Sequence, residues 1–379
     1  HPVPFIAGLI VCTNIIFYRS ARISQTDMLL VFFVLLAVEG VMRGQECRGF
    51  VGMYLWIAGG YVAGGLAMLT KGPVGLLLLG FILLSVTLTR RSWKNIPYWA
   101  HVLGLLFSVV IYGSWYWQYL GPAGEAVARE VIVRENWQRF FTAFDHREPF
   151  YYFAIVFAGD FMPWTPFFLL GVGWAWVRRK SRTADYKMVL IWFAVIFIFF
   201  SLSSSKRNQY ILALYPAAAL ITAAFLFRAV VPVRRCLLGW RKAGVGVFRG
   251  LAITSMVFAV VGPIVIAFNV PKYSVLAIVA ALPLLILGGW LLRDSFRTTL
   301  KRVTLILPMG FMIVHLVVQP IAATYLEQRK SPRPYAAKVA GLVGSHHLVC
   351  YRFSKASLDF YKPPEMGEVY YIYDWGMLR

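Results

Sequence analysis

The chain has 379 residues, 59% of them hydrophobic and 14% charged, with a mean hydropathy of +0.66, whereas soluble domains hold about 45–50% apolar and about 25% charged residues. The surplus apolar surface needs lipid as its solvent, which excludes a water-soluble fold. A net charge of +22 raises nucleic acid as a partner, but the basic residues fall between apolar runs, so membrane lipids are expected and nucleic acid is not.

Apolar runs recur at roughly 3–17, 27–42, 49–69, 72–88, 97–120, 151–177, 188–204, 210–231, 250–270, 274–292 and 303–324. Most approach the roughly 20 residues that a helix needs to cross the hydrocarbon, and they are too long for outer-membrane strands, which alternate apolar with polar over about ten residues. The expected architecture is an all-α integral membrane bundle of about eleven transmembrane helices over 1–324. Lys and Arg gather in alternate connections, at Arg43 and Arg48, at Arg90, Arg91 and Lys94, at Arg178 to Arg182, at Arg234 to Arg249 and at Arg293 to Arg302. By the positive-inside rule those face the cytoplasm. The junction at Lys71, the segment 121–150, the turn at Lys206 and the tail 325–379 then lie outside. The tail reads as a short helix followed by strands near HHLVCYRF and EVYYIYDW, a small extracytoplasmic α/β domain. The first run begins at His1 with no n-region before it, so the chain is expected to be the later part of a longer protein. Cys12, Cys47, Cys236 and Cys350 are widely spaced and form no metal-type or redox pair.

Charges that persist on the outer side need a specific explanation. Asp27 opens a span after SARISQT, either as a helix cap or as a buried acid. In LTKGPVG, Gly72 and Pro73 force a tight re-entry that holds Lys71 at the interface, as a snorkelling lysine or as an anion ligand. From Arg129 to Phe153, Arg129, Arg134 and Arg139 alternate with Val131, Trp137, Phe140 and Phe141. That spacing suits an amphipathic helix in the interface, although Glu130 with Arg134 and Glu135 with Arg139 would also serve as plain i,i+4 pairs. Asp160 lies inside the run AIVFAGDFMPWTPF, where a carboxylate is expensive and points at a partner or a polar cavity. In SLSSSKRNQYILALYP, adjacent Lys206 and Arg207, three serines and Tyr210 at a helix start suit a phosphate, since cation, hydroxyl and helix dipole all favour an anion.

The order LTKGPVG, ENWQRF with HREPFYY, MPWTPFF and SKRNQYILALYP resembles the GT-C glycosyltransferases that use polyprenyl-phosphate sugars. It is most similar to the lipid A aminoarabinose transferases and to bacterial relatives of the protein O-mannosyltransferases. The resemblance implies an undecaprenyl-phosphate sugar as donor and lipid A or another envelope acceptor, with the active site of an inner-membrane protein facing the periplasm. It also implies that Lys71, Arg139, Lys206 and Tyr210 hold the donor phosphate and that Asp27 matches an acidic residue opening a later helix of the fold. Arg134, Glu135, His146 and Arg147 carry over from flanking positions, with Arg207 beside Lys206. Two departures stand out. The family's leading catalytic carboxylate lies on a first outer loop that this chain lacks, as though N-terminal helices were missing, so no catalytic base is assigned. Some lipid A enzymes have His where this chain has Asn136, a position associated with a divalent metal, which leaves metal binding open around Glu135 and Asn136.

A transporter or flippase for an anionic lipid-linked sugar would also suit basic residues near one interface, but the sequence shows no convincing internal repeat. A surface polysaccharide polymerase or ligase would share the donor and differ in its acceptor.

Overall fold

The computed structural model describes residues 2–22, 25–90, 98–128, 148–178, 184–231, 238–269, 271–295, 301–330, 333–351, 364–365 and 368–372. In chain order the helices are α1 Pro2–Cys12, α2 Ile15–Arg22, α3 Asp27–Glu46, α4 Phe50–Lys71, α5 Val74–Arg90, α6 Tyr98–Ala128, α7 Tyr152–Asp160, α8 Thr165–Val177 and α9 Ala184–Leu202. A 3-10 segment, Asn208–Leu214, leads into α10, Tyr215–Phe225, which ends in a π turn, Leu226–Val230. The remaining helices are α11 Leu238–Asn269, α12 Ser274–Ser295, α13 Lys301–Lys330 and α14 Arg333–Val343.

Each of the apolar runs falls on one helix or on a helix pair. By length and composition, six helices among the described residues can cross a membrane, or up to eight if each bent pair is one span. Two further apolar helices, Val74–Thr89 and Thr304–Val317, are shorter. The runs 3–17 and 151–177, expected to be single spans, are both broken. α1 and α2 are bent by 62° and α7 and α8 by 115°. The second break contains a cis Met162–Pro163 peptide, and Pro166 follows in the first turn of α8, where proline is tolerated because its missing N–H would have no helical partner. The first falls at Asn14, whose Oδ1 accepts the Phe17 N–H at 3.0 Å and starts a new helix.

α6 is continuous for 31 residues, about 46 Å at 1.5 Å per residue, longer than the hydrocarbon is thick. Its exposed aromatics, Tyr98 and Trp99 at one end and Trp115 and Trp117 further along, stand about 27 Å apart on the helix axis, the spacing of two interfacial aromatic belts. The helix therefore runs on through the first part of the segment 121–150, as far as Ala128.

The core is centred on α10, whose residues are buried almost throughout. Around it an aromatic cluster joins Phe157, Phe161, Phe168, Phe193 and Tyr215 by ring contacts of 4.8–6.0 Å. α3 and α4 pack closely, and glycines let them approach. A Cβ on Gly60 would lie 2.8 Å from the Ala37 carbonyl oxygen and 2.9 Å from the Val41 nitrogen, whereas one on Gly59 would meet nothing within 4 Å. Gly60→Ala is therefore expected to push the helices apart and cost about 1–3 kcal/mol, while Gly59→Ala is neutral. Thermal unfolding of the two variants in detergent checks this, and equal unfolding temperatures would show that the crossing tolerates a methyl group.

Beyond the bundle, α14 and two short strands, β1 Leu348–Tyr351 and β2 Val369–Ile372, follow the long α13, which continues past residue 325 to Lys330. The strands pair in parallel, Leu348 opposite Val369, with Ala336 of α14 and Cys350 of β1 packed together.

Candidate donor-binding site

Three of the residues singled out in the sequence meet at one end of the α3–α4 pair. Lys71 is the last residue of α4, and the chain leaves it through Gly72 at φ 77°, a left-handed conformation that favours glycine. The Gly72 N–H closes the helix on the Met68 carbonyl at 2.7 Å, and Pro73 then fixes the entry to α5. Asp27 is the first residue of α3, and the Thr26 side chain before it makes no capping bond. Because α3 and α4 are antiparallel, the helix that starts with Asp27 begins where the one carrying Lys71 ends. The Lys71 ammonium is ion-paired with Asp27 Oδ1. Asp27 is thus a buried acid with a partner and not a plain cap. Tyr210, in the 3-10 segment, completes the group: its ring centroid lies 4.9 Å from Lys71 Nζ, a cation–π contact.

Lys206 sits differently. It is 5% exposed, and its ammonium donates to two backbone carbonyls, Glu148 at 3.0 Å and Ser203 at 2.5 Å. Burial pushes its pKa below the usual lysine range, and the charge of Glu148 opposes that shift. Two residues on, Asn208 Oδ1 accepts the Tyr152 hydroxyl. These contacts tie the start of α7 to the turn that carries Tyr210. Arg207 is exposed beside them.

Arg134, Glu135, Asn136, Arg139, His146 and Arg147 lie outside the described residues. Among the described residues no three of His, Cys, Asp and Glu come together as a metal site. Asp160, at the end of α7, keeps the exceptional character its sequence suggests: Oδ2 is buried and has no hydrogen-bond partner among the described residues.

Several residues of this end escaped the sequence. Asn14 donates through Nδ2 to the Asp160 carbonyl at 3.0 Å, and Trp164 Nε1 donates to Thr13 Oγ1 at 3.2 Å. An asparagine inside an apolar run, close to the end of that run, was the available signal.

Comparison with known proteins now gives this geometry a frame. No family model matches the chain. An uncharacterised protein of Aquifex aeolicus is 32% identical over 58% of the chain and 42% of its own length. The undecaprenyl phosphate-alpha-4-amino-4-deoxy-L-arabinose arabinosyl transferase of Edwardsiella ictaluri is 24% identical over 59% of the chain and 40% of its own length. A transferase of the same description from Pseudomonas fluorescens is 25% identical over 53% and 36%. Against the crystal structure of ArnT from Cupriavidus metallidurans in the apo state the TM-score is 0.73 at 22% identity, over 98% of this chain and 66% of that one. The chain has the ArnT fold. The ArnT structure bound to undecaprenyl phosphate gives a TM-score of 0.67 over 96% of this chain and 70% of that one. The likeness of fold to ArnT extends over 96–98% of this multi-pass membrane chain. The chain spans less than half the length of these curated relatives, from 36% to 42% for the three above.

Proposed function

We propose that the chain belongs to a membrane glycosyltransferase that takes a sugar from undecaprenyl phosphate and passes it to lipid A or another envelope acceptor on the extracytoplasmic side of the bacterial inner membrane. The observation that carries this is the meeting of Lys71, Asp27 and Tyr210, in a chain with the ArnT fold and with relatives described as arabinosyl transferases. In an inverting transfer the bond from sugar to phosphate breaks and the leaving undecaprenyl phosphate gains negative charge. A cation already in place stabilises that charge without reorganisation. Asp27 holds the Lys71 ammonium in position, and the Tyr210 ring supports it from one face. The Tyr210 hydroxyl is left to donate to a phosphate oxygen. Lys206 stands beside this group with one N–H not spent on a carbonyl, and Arg139 is a further candidate for the same phosphate.

The test is transfer of labelled sugar from undecaprenyl-phosphate aminoarabinose by the full-length protein in lipid, with undecaprenyl phosphate as competitor. Tyr210→Phe keeps the ring beside Lys71 and removes one neutral donor, worth about 0.5–1.5 kcal/mol, so kcat/KM should fall roughly 2- to 12-fold. Absence of transfer together with absence of competition would overturn the reading.

The two broken helices favour a second reading, because discontinuous helices mark the substrate sites of many transporters. A flippase would move the labelled lipid across the bilayer and leave the sugar on it.

A further inference from the structure

The donor end of the bundle carries cations beyond the donor group itself. α2 has two arginines in its last turn, Arg19 and Arg22, both exposed, while Ile16 and Ser20 on its opposite face are buried against the bundle. Neither arginine forms a salt bridge among the described residues, and on the proposed outer side the positive-inside bias works against both. Arg22 is nevertheless held in place. Its Nη1 donates to the Tyr18 hydroxyl at 2.9 Å, and its guanidinium lies 5.6 Å from the Tyr18 ring centroid. His315 of α13 in turn packs edge-on against the Tyr18 ring, at 5.2 Å between centroids. A helix dipole favours cations in the last turn, but it does not call for a guanidinium folded back onto a tyrosine. A snorkelling arginine extends to water instead.

This pairing repeats the one in the donor group, where Lys71 lies over the Tyr210 ring at 4.9 Å. A short length of chain joins the two pairs. Gln209, the neighbour of Tyr210, donates through Nε2 to Gln25 Oε1 at 3.4 Å, and Arg22 stands three residues before Gln25, at most about 11 Å of chain. The pairs differ in charge, because Asp27 offsets Lys71 whereas no carboxylate among the described residues is paired with Arg22. The Tyr18 hydroxyl accepts from Arg22, so its own proton is left to donate. That hydroxyl and the other guanidinium N–H groups form a fork suited to a phosphate, and the pair is open to solvent.

We propose that Arg22 and Tyr18, with Arg19 three residues away on the same side of α2, form a second anion site that takes a phosphate on the headgroup of the acceptor lipid, while Lys71 and Tyr210 hold the phosphate of the donor. This rests on the donor reading above. An inverting transfer aligns the acceptor on the face of the sugar opposite the leaving phosphate. With a phosphorylated acceptor, anionic groups then flank the sugar on both sides and a second set of cations is needed. α2 supplies that set and makes the enzyme prefer phosphorylated acceptors.

Arg22→Gln and Arg22→Lys, in the full-length protein in nanodiscs of zwitterionic lipid, test this through two measurements. One is direct binding, without donor, of lipid A, of the same lipid A after phosphatase treatment, and of phosphatidylglycerol. The other is KM for the donor and for lipid A in transfer. The parent protein should bind lipid A at least about 10-fold more tightly than its dephosphorylated form. Arg22→Gln should weaken lipid A binding roughly 10- to 150-fold, the range for one hydrogen bond to a charged group. Acceptor KM should rise in step, while donor KM and undecaprenyl phosphate affinity stay within about twofold. Arg22→Lys should recover only part of the binding, since an ammonium does not reproduce the fork. Equal binding of the two lipid A forms by the parent, or unchanged lipid A binding in Arg22→Gln, overturns the site. So does a rise confined to donor KM, which would assign Arg22 to the donor phosphate. Equal loss of phosphatidylglycerol and lipid A binding also overturns it, making α2 a general contact with anionic lipid. A parent protein that binds lipid A through Arg22 but neither binds undecaprenyl phosphate nor transfers from its sugar overturns the donor reading and leaves the phosphate site on α2 in place.

Discussion

Lys71→Ala is expected to lower sugar transfer by roughly 10²- to 10³-fold, the range seen when one preorganised group that stabilises transition-state charge is removed. It is also expected to destabilise the bundle, because Asp27 is left as a buried carboxylate without its cation. Removing one partner of a fully buried pair costs about 3–5 kcal/mol. Lys71 keeps 31% of its side chain exposed, so solvent screening lowers the cost below that range, to about 2–3 kcal/mol. A snorkelling lysine without a partner could be replaced by alanine with stability nearly unchanged. The ion pair removes that expectation and supplies a way to separate the two effects. Lys71→Ala with Asp27→Asn deletes both charges, so thermal stability in detergent should return to within about 1 kcal/mol of the parent. Transfer should stay low. If transfer recovers together with stability, Lys71 serves the fold and the phosphate is held elsewhere.

The three residues of this site were legible in the sequence one at a time. Each was unusual for its place: Lys71 outside against the positive-inside bias, Asp27 at the edge of a span, Tyr210 after two cations. Their meeting was not legible from spacing, because 44 residues separate Asp27 from Lys71 and only the glycine crossing of α3 and α4 brings those helix ends together. The order of motifs, and the fold behind it, supplied that information.

The helix breaks show a second limit. Hydropathy adds up apolar residues and is blind to direction, so 151–177 read as one long span although Pro163 and Pro166 lie within it. Two prolines in an apolar run were the available signal for the 115° bend. The segment 121–150 was read as lying outside the membrane, yet α6 continues into it as far as Ala128, through Gly121, Pro122 and Gly124. The elements of the tail were read close to their observed places, helix 333–343 and strands 348–351 and 369–372. Their parallel pairing was not anticipated, since register depends on the connection between them and not on either strand's composition.

Lys206 teaches the same lesson at the level of one side chain, and its replacement gives the other large expected effect. The sequence suggests a phosphate ligand because charge is visible in sequence. Backbone carbonyls are carried by every residue and are not. In the fold the ammonium bridges Glu148 O and Ser203 O, so Lys206→Ala leaves two carbonyls short of a donor at a site that is almost closed to solvent. At about 1–3 kcal/mol for each buried acceptor left unsatisfied, the loss is roughly 2–6 kcal/mol. It falls on the tie between α7 and the turn that carries Tyr210, so donor KM should rise along with the loss of stability. Lys206→Arg keeps a charge-bearing donor but must fit a planar fork where a compact ammonium sits, and it is expected to recover only part of the function. Lys206→Met keeps the length and apolar stem and removes every donor, and it should behave like alanine. Thermal unfolding, donor KM and cross-linking of cysteines placed at positions 148 and 204 check this together. If Lys206 ties α7 to that turn, all three change in Lys206→Ala. A variant whose donor KM rises while unfolding temperature and cross-linking stay at parent values would show that Lys206 turns to the phosphate when donor is bound, and that the carbonyl contacts are only its resting place.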